Sequence, residues 1–391
     1  MTASGKRTLH AMILEGCYGF GNCAYGAFIV TMLTDNGYSA ALATGLLTCM
    51  SAVSFVTQPI TGYLCDSRFS HRSLLLLLTG CTIPLFLLLP GAMASLPLTI
   101  LCMLLITLVM AQIPGLLDSW ILSLKVSYGI CRGTASLTYA TAAWIMGGLT
   151  AAFGHPARLA LGAAFYGAML ITAFLLKGEG AANNPDLSDQ ADERMPVRET
   201  VRLLLHNWTY LLLLAVAFLV FLSTNCTTTF LSTLVKELGG DAASVGTVYS
   251  IIAYCEVPVM FLMGWLLKKF SAKSVITFAC ALAAVRMVLT CLASDLTLML
   301  LIQPLEGVSY AILWPACITY LSEITDERVR STSVMTFTAV TGGICSIFGS
   351  AAGTMILSAT DSARMVFACT TGAVILGFLL ALYGHVRRIW K

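Results

Sequence analysis

The sequence predicts an all-α membrane protein: twelve transmembrane helices in two six-helix bundles, both termini in the cytoplasm. Three observations carry that expectation. Hydrophobic residues make up 58% of the 391 positions and charged residues only 10%, against about 25% charged in soluble domains. Apolar runs of about 20 residues, the length that spans the bilayer core as a helix, recur along the whole chain. Lys and Arg are distributed unequally between alternate loops, which sets orientation.

The apolar runs lie at 10–33, 41–64, 73–92, 97–124, 132–153 and 157–176, and again at 207–235, 242–267, 273–293, 296–322, 332–357 and 363–384. No β-barrel alternation is visible, and barrels give much weaker runs. The N-terminus and every second loop carry Lys6, Arg7, Arg68, Arg72, Lys125, Lys177, Arg194, Arg198, Arg202, Lys268, Lys269, Lys273, Arg328 and Arg330. Arg387, Arg388 and Lys391 follow the last run, and the opposite loops hold only Arg158, Lys236 and Arg364. Both termini are therefore expected inside, which requires an even number of spans. Lys6 and Arg7 precede a full-length run without a small-residue cleavage site, so no cleaved signal peptide is expected.

Three domains follow: a bundle over 1–176, a cytoplasmic linker over 177–206 and a second bundle over 207–391. The linker is the one long polar segment, with two Pro and two Asn, a composition that stays flexible. Its end, Val197 to His206, is suited to a short surface helix. A polar turn recurs in each half, GYLCDSRFSHRS after the second run and GWLLKKFSAKS after the eighth. Such internal duplication is typical of transporters. The 14 cysteines show no metal or redox spacing and read as small apolar packing residues. No metal or other cofactor is implied. Without a phosphate loop, a nucleophile elbow or a metalloprotease pattern, the chain does not read as an enzyme. The net charge of +3 points to no nucleic acid.

Six ionisable residues interrupt the apolar runs: Glu15, Asp118, Arg132, Glu256, Arg286 and Glu306. Charge is expensive there, and such groups serve proton relays or substrate sites. The midpoint of Glu256 and Arg286 is Ser271, in a polar break, and that of Arg286 and Glu306 is Leu296, at the next break. In antiparallel helices the three side chains share one depth. Arg286 stays charged and holds one acid ionised, leaving the other to bind and release a proton. A static ion pair that fixes packing is the alternative. Asp118 and Arg132 have Lys125 as their midpoint and meet in the same way, nearer the cytoplasm, for substrate contact or a gate; alternatively Arg132 snorkels to the interface. Glu15, Tyr18, Asn22 and Tyr25 form one helical stripe that suits a polyhydroxylated or heterocyclic ligand, or a packing face. Trp120 fits the interfacial belt. Trp144 and Trp314 lie deep enough to stack on a ligand.

The turn with Gly62, Asp66, Arg68 and Arg72 resembles that between the second and third helices of the major facilitator superfamily, with Ser67 and Ser70 departing from the pattern. In that family the loop acts as a conformational latch. SYGICRGTASLTY at 127–139, EVPVMFLMGWLLKKF at 256–270, Arg286 in AAVRM and LEGVSYAILW at 305–314 resemble its lactose-permease-like proton symporters. That resemblance makes Arg132 a sugar contact and Tyr139 a stacking ring, where lactose permease has Trp. It assigns proton coupling to Glu256, Arg286 and Glu306, with Glu306 as carrier and Glu256 as partner of Arg286.

The expected function is proton-coupled symport of a small polar solute, a sugar, glycoside or nucleoside, across the cytoplasmic membrane. The protein would act as a monomer by alternating access, with the ligand between the halves. A proton-coupled efflux antiporter of the same fold is the first rival, and a non-transporting membrane receptor is one of another class. An intramembrane enzyme is weaker, having no visible nucleophile with its base. Topology is directly testable: reporters fused after residues 190 and 391 should both report cytoplasm, and an external signal from either breaks the span assignment.

Overall fold

The structure, a computed structural model, describes residues 3–124, 126–175, 196–240, 242–387 and 390. Lys125, Arg388, Lys391 and residues 177–195 of the expected linker lie outside them. Among the described residues every regular element is helical. Nine helical stretches of the described residues are long and apolar enough to cross a membrane. The expected runs 10–33, 41–64 and 132–153 fall on three further long helical segments.

The first of these is α1 (Ala3–Gly26), followed by a short α2 (Ile29–Asp35). Then come α3 (Ala40–Ser67) and α4 (His71–Ala92). Ser39 and Ser70 cap α3 and α4, each hydroxyl accepting from an N–H of the first turn, a contribution of about 1 kcal/mol per cap. The next apolar run is broken into α5 (Leu96–Met110) and α6 (Ile113–Ser123). Pro114 cannot donate to the preceding turn. Gln58 of α3 reaches the break and donates to the Ala111 carbonyl at 2.7 Å. The long α7 (Tyr128–Leu175) bends at Gly154, whose φ of 78° is left-handed; glycine tolerates that backbone and Pro156 follows it. The runs 132–153 and 157–176 are the two arms of this bent helix.

The amphipathic α8 (Val197–His206) precedes α9 (Trp208–Glu237), which Asn207 caps through the Tyr210 N–H. After α10 (Ala242–Lys269) and α11 (Ala272–Leu292) another run is split, into α12 (Leu296–Ile302) and α13 (Pro304–Ile324). Pro304 opens α13, where its missing N–H costs nothing. The last elements are α14 (Arg330–Thr338), a π-helical turn over Ala339–Ile344, α15 (Cys345–Thr360) and α16 (Ala363–Val386).

The chain falls into two compact units. The first comprises Met1–Thr200 with Glu327–Thr336, and the second Val201–Asp326 with Phe337–Lys391. In the first, α7 packs on α1 and α4 around a core that includes Phe20, Met103, Leu117 and Tyr166. In the second, α16 packs on α9 and α11, and α13 on α10 and α11.

One glycine in each unit sets a close helix approach. A Cβ on Gly19 of α1 would run into the Ala135 carbonyl oxygen of α7. A Cβ on Gly307 of α13 would run into that of Ile252 on α10. Both obstacles are backbone, which cannot swing aside. Gly307→Ala should therefore lower stability by about 1–3 kcal/mol, the usual cost of overpacking. Thermal unfolding in detergent measures it against Gly372→Ala on α16, where an added Cβ meets nothing within 4 Å. Equal midpoints for the two variants would refute the close approach.

Candidate functional site

A guanidinium inside a helical membrane protein keeps its charge and needs a partner. Arg286 and Arg132 find one by different routes. In the second unit, Arg286 on α11 is buried, with 2% of its surface exposed. Its Nη1 lies 2.9 Å from Oε2 of Glu306, in the first turn of α13, where free N–H groups already favour a negative charge. Nη1 also touches the Met287 sulfur at 3.2 Å, while Nε and Nη2 have no hydrogen-bond partner among the described residues. Glu256 is half-buried on α10, beside Gly307. The sequence suggests Glu256 as the partner of Arg286; the close ion pair of that arginine is with Glu306, which α13 turns toward α11.

In the first unit, Glu15 of α1 and Asp118 of α6 are fully buried. Arg132 Nη1 on α7 stands 3.7 Å from Glu15 Oε2. The Tyr128 hydroxyl, one turn before Arg132, donates to Asp118 Oδ1 at 2.8 Å. Thus α1, α6 and α7 bring two carboxylates, a guanidinium and a phenol together, with Gly19 holding α1 against α7. Tyr18 is buried and Asn22 half-buried. Tyr25 stacks on Phe86, and its hydroxyl has no partner among the described residues. Tyr139 is partly buried against the first unit's core. Trp144, on the same α7, is 84% exposed.

Trp314 is buried and belongs to a cluster of four rings. It stacks on Tyr310 at 6.3 Å, meets Phe221 edge-on at 5.6 Å and leans on Phe337 at 5.7 Å. Tyr310 is one turn beyond Glu306 on α13 and more exposed than Trp314.

At the turn after α3, Asp66 Oδ1 accepts the Ser331 N–H at 3.0 Å. Its Oδ2 accepts both the Thr332 N–H and the Thr332 hydroxyl at 2.7 Å. These N–H groups are in the first turn of α14, so the carboxylate caps that helix. Gly62 comes so close that a Cβ would lie 2.8 Å from the Ser331 carbonyl oxygen. Arg72 donates to the Ala173 and Phe174 carbonyls at 2.9 and 2.7 Å, closing the end of α7. Arg68 is exposed.

Sequence reasoning missed several of these groups. His71 Nε2 lies 3.0 Å from both the Ser119 and Ser331 hydroxyls, which are 2.9 Å from each other. No motif marks that triangle. Tyr128 could have been found from its spacing of four from Arg132. Arg158, expected in an outer loop, is instead fully buried in the second arm of α7. It sits 4.6 Å from the Phe28 ring centre and 3.4 Å from the Thr150 hydroxyl.

Similarity to known proteins is extensive. An uncharacterized transporter of Bacillus subtilis (strain 168), YwbF, is 25% identical over 96% of this chain and 93% of its own. The maltose permease of Geobacillus stearothermophilus is 27% identical over 65% of this chain and 63% of its own. Among solved structures, the human organic anion transporter MFSD10 (TETRAN) superposes with a TM-score of 0.79 at 12% identity, covering 97% of this chain and 100% of that one. The fucose:proton symporter FucP of E. coli does so with a TM-score of 0.77 at 13% identity, covering 96% and 98%. These structures share the fold of the major facilitator superfamily. The described "MFS_1 like family" matches residues 13–369, and this chain belongs to that family of multi-pass membrane transporters.

Proposed function

We propose that this transporter is a proton-coupled symporter for a small polar organic solute, a sugar, glycoside or nucleoside. It works by alternating access in the cytoplasmic membrane, with twelve spans and both termini inside. The observation that carries the reading is the buried pair Arg286–Glu306, 2.9 Å apart. A proton arriving at Glu306 removes the charge that Arg286 pairs with. Breaking a buried pair costs about 3–5 kcal/mol, enough to drive a rearrangement. Glu256, on the neighbouring helix, is the second acid available to that arginine. Arg132, with Tyr139, Asn22, Tyr25, Tyr18, Glu15 and Asp118, forms the first unit's contribution to substrate. Its planar fork suits vicinal hydroxyls. The sugars named for the maltose permease and the fucose symporter support the substrate class.

The two fully buried acids of the first unit, Glu15 and Asp118, favour a second reading, a proton-coupled efflux antiporter. Proton movement opposite in direction to substrate, in vesicles of known orientation, would establish that reading instead.

Two substitutions test the symporter in proteoliposomes with labelled maltose, D-xylose, L-fucose and uridine. Glu306→Gln should reduce the accumulation ratio to about 1 and abolish substrate-linked proton uptake, while exchange across the membrane persists. Normal accumulation with intact proton flux would remove Glu306 from the coupling. Arg132→Lys should leave the protein folded yet weaken binding by about 2 kcal/mol, roughly thirtyfold, because lysine lacks the fork. Unchanged affinity would reduce Arg132 to a topological charge.

A further inference from the structure

The segment VRETVRLLLH forms α8, about 15 Å long at about 1.5 Å per residue. That is half the thickness of the hydrocarbon core, about 30 Å, so α8 does not span it. Asn207 follows with an extended backbone (φ −84°, ψ 92°), and Trp208 opens the membrane-crossing α9. The chain therefore changes direction where the span begins. The Asn207 amide fixes that junction by donating to the Ile324 carbonyl, the last residue of α13, at 2.7 Å. Trp208 is 77% exposed, as suits a ring at headgroup level. α8 is thus held at the membrane surface.

Residues four apart share a row on a helix, and three rows of α8 differ in character. Thr200 and Leu204 are buried and turn toward the protein. Val197, Val201 and Leu205 form the next row and are 55%, 47% and 59% exposed. Arg198, Arg202 and His206 form the row beyond, also exposed. Among the described residues neither arginine forms an ion pair. His206 Nδ1 donates to the Arg202 carbonyl at 2.9 Å. Glu199, the one acid of α8, lies on the opposite side of the helix from Val197 and Val201. Water satisfies the guanidinium groups but not the aliphatic row beside them. A bilayer surface satisfies both.

We propose that α8 is an interfacial helix that recognises anionic phospholipids. Val197, Val201 and Leu205 enter the acyl boundary, and Arg198 and Arg202 bind headgroup phosphates, which the guanidinium fork matches. A zwitterionic headgroup offsets its own phosphate with a cation, so a surface of net negative charge is the partner these arginines fit. Each basic side chain at such a surface is worth about fivefold in binding, and the two together roughly thirtyfold. Through Asn207 and Ile324, the lipid holds the surface ends of α9 and of α13, the helix that carries Glu306.

Amide hydrogen exchange of the full-length protein in nanodiscs tests this. Residues 197–206 should exchange about fivefold more slowly, or slower still, in phosphatidylcholine with about 30% phosphatidylglycerol than in phosphatidylcholine alone. Both leaflets of a nanodisc carry the anionic lipid, so orientation does not affect the result. Arg198→Gln with Arg202→Gln should abolish the difference between the two lipids. Val201→Ser with Leu205→Ser should speed exchange in both. Where a variant fails to fold, salt at about 1 M serves with the wild type, since it cuts the screening length to about 3 Å and should erase the difference. Equal exchange in the two lipids overturns the proposal, whether another segment of the chain covers the aliphatic row or water does. A difference that survives the arginine substitutions or the salt overturns it too. Glycerol phosphate added to phosphatidylcholine nanodiscs should leave exchange unchanged; slowing there would show that the arginines take a free phosphate and that the lipid surface is not their partner.

Discussion

The cost of holding charge in an apolar interior organises this molecule. An arginine keeps its proton, so the protein must supply an anion or an equivalent set of contacts wherever a guanidinium is buried. The structure shows three answers. Arg286 takes a carboxylate at 2.9 Å. Arg132 has one at 3.7 Å within a wider group of buried acids and a phenol. Arg158 is fully buried with an aromatic face, a thioether and a hydroxyl around it. A proton can cancel either carboxylate partner, and Arg286–Glu306 is the shorter of the two pairs. Arg158 has contacts that no proton can cancel, and its surroundings suit a fixed structural role.

The same constraint explains where helices break. An interrupted helix frees carbonyl and N–H groups that hydrocarbon cannot satisfy. At Ala111 the amide of Gln58 takes the freed carbonyl, and Gln112 donates to the Thr57 hydroxyl at 2.8 Å. At Gln303 the break is covered by Pro304, which has no N–H to satisfy, and Glu306 follows in the first turn of α13. At the π turn Asn225 performs the service. Two of these three lapses, at Ala111 and at the π turn, are thus met by an amide side chain from a neighbouring helix.

Much of this was legible in the sequence, because apolar run length and helix length obey one physical rule. The apolar runs fall on the long helices, and 132–153 and 157–176, read as separate runs, lie in one helix that bends at Gly154. Depth was legible too: Leu296, midway between Arg286 and Glu306, opens α12, and the two side chains meet. Azimuth was not. The midpoints at Ser271 and Leu296 put both Glu256 and Glu306 level with Arg286, and spacing does not say that the 2.9 Å pair is with Glu306. Counting residues places a side chain along the membrane normal, whereas its direction around the helix depends on which neighbours pack closely. Glycines such as Gly307 decide that, and their contacts are not visible from spacing. The Asp66 cap on α14 joins residues 265 and 266 positions apart; the motif marked Asp66 but gave no sign of Ser331, Thr332 or His71 as its surroundings.

The π turn was the least legible feature, and the reason bears on how faces are read from patterns. An inserted residue leaves a stretch just as apolar and just as helical as before. What changes is phase: beyond Ile344 every side chain is rotated by about a quarter turn from where an uninterrupted α-helix would place it. A polar stripe followed from Thr338 into α15 by 3.6-residue counting therefore lands on the wrong face. Buried Gly349 and Gly353 belong to the shifted frame, where Gly349 approaches the Leu222 carbonyl and Gly353 the Phe230 ring. The local cue is Gly342–Gly343, two weak helix formers in succession that relax the α geometry enough for a sixth residue to enter the turn. Asn225 of α9 donates its amide to the Thr341 carbonyl within that turn, tying the shifted frame to the neighbouring helix.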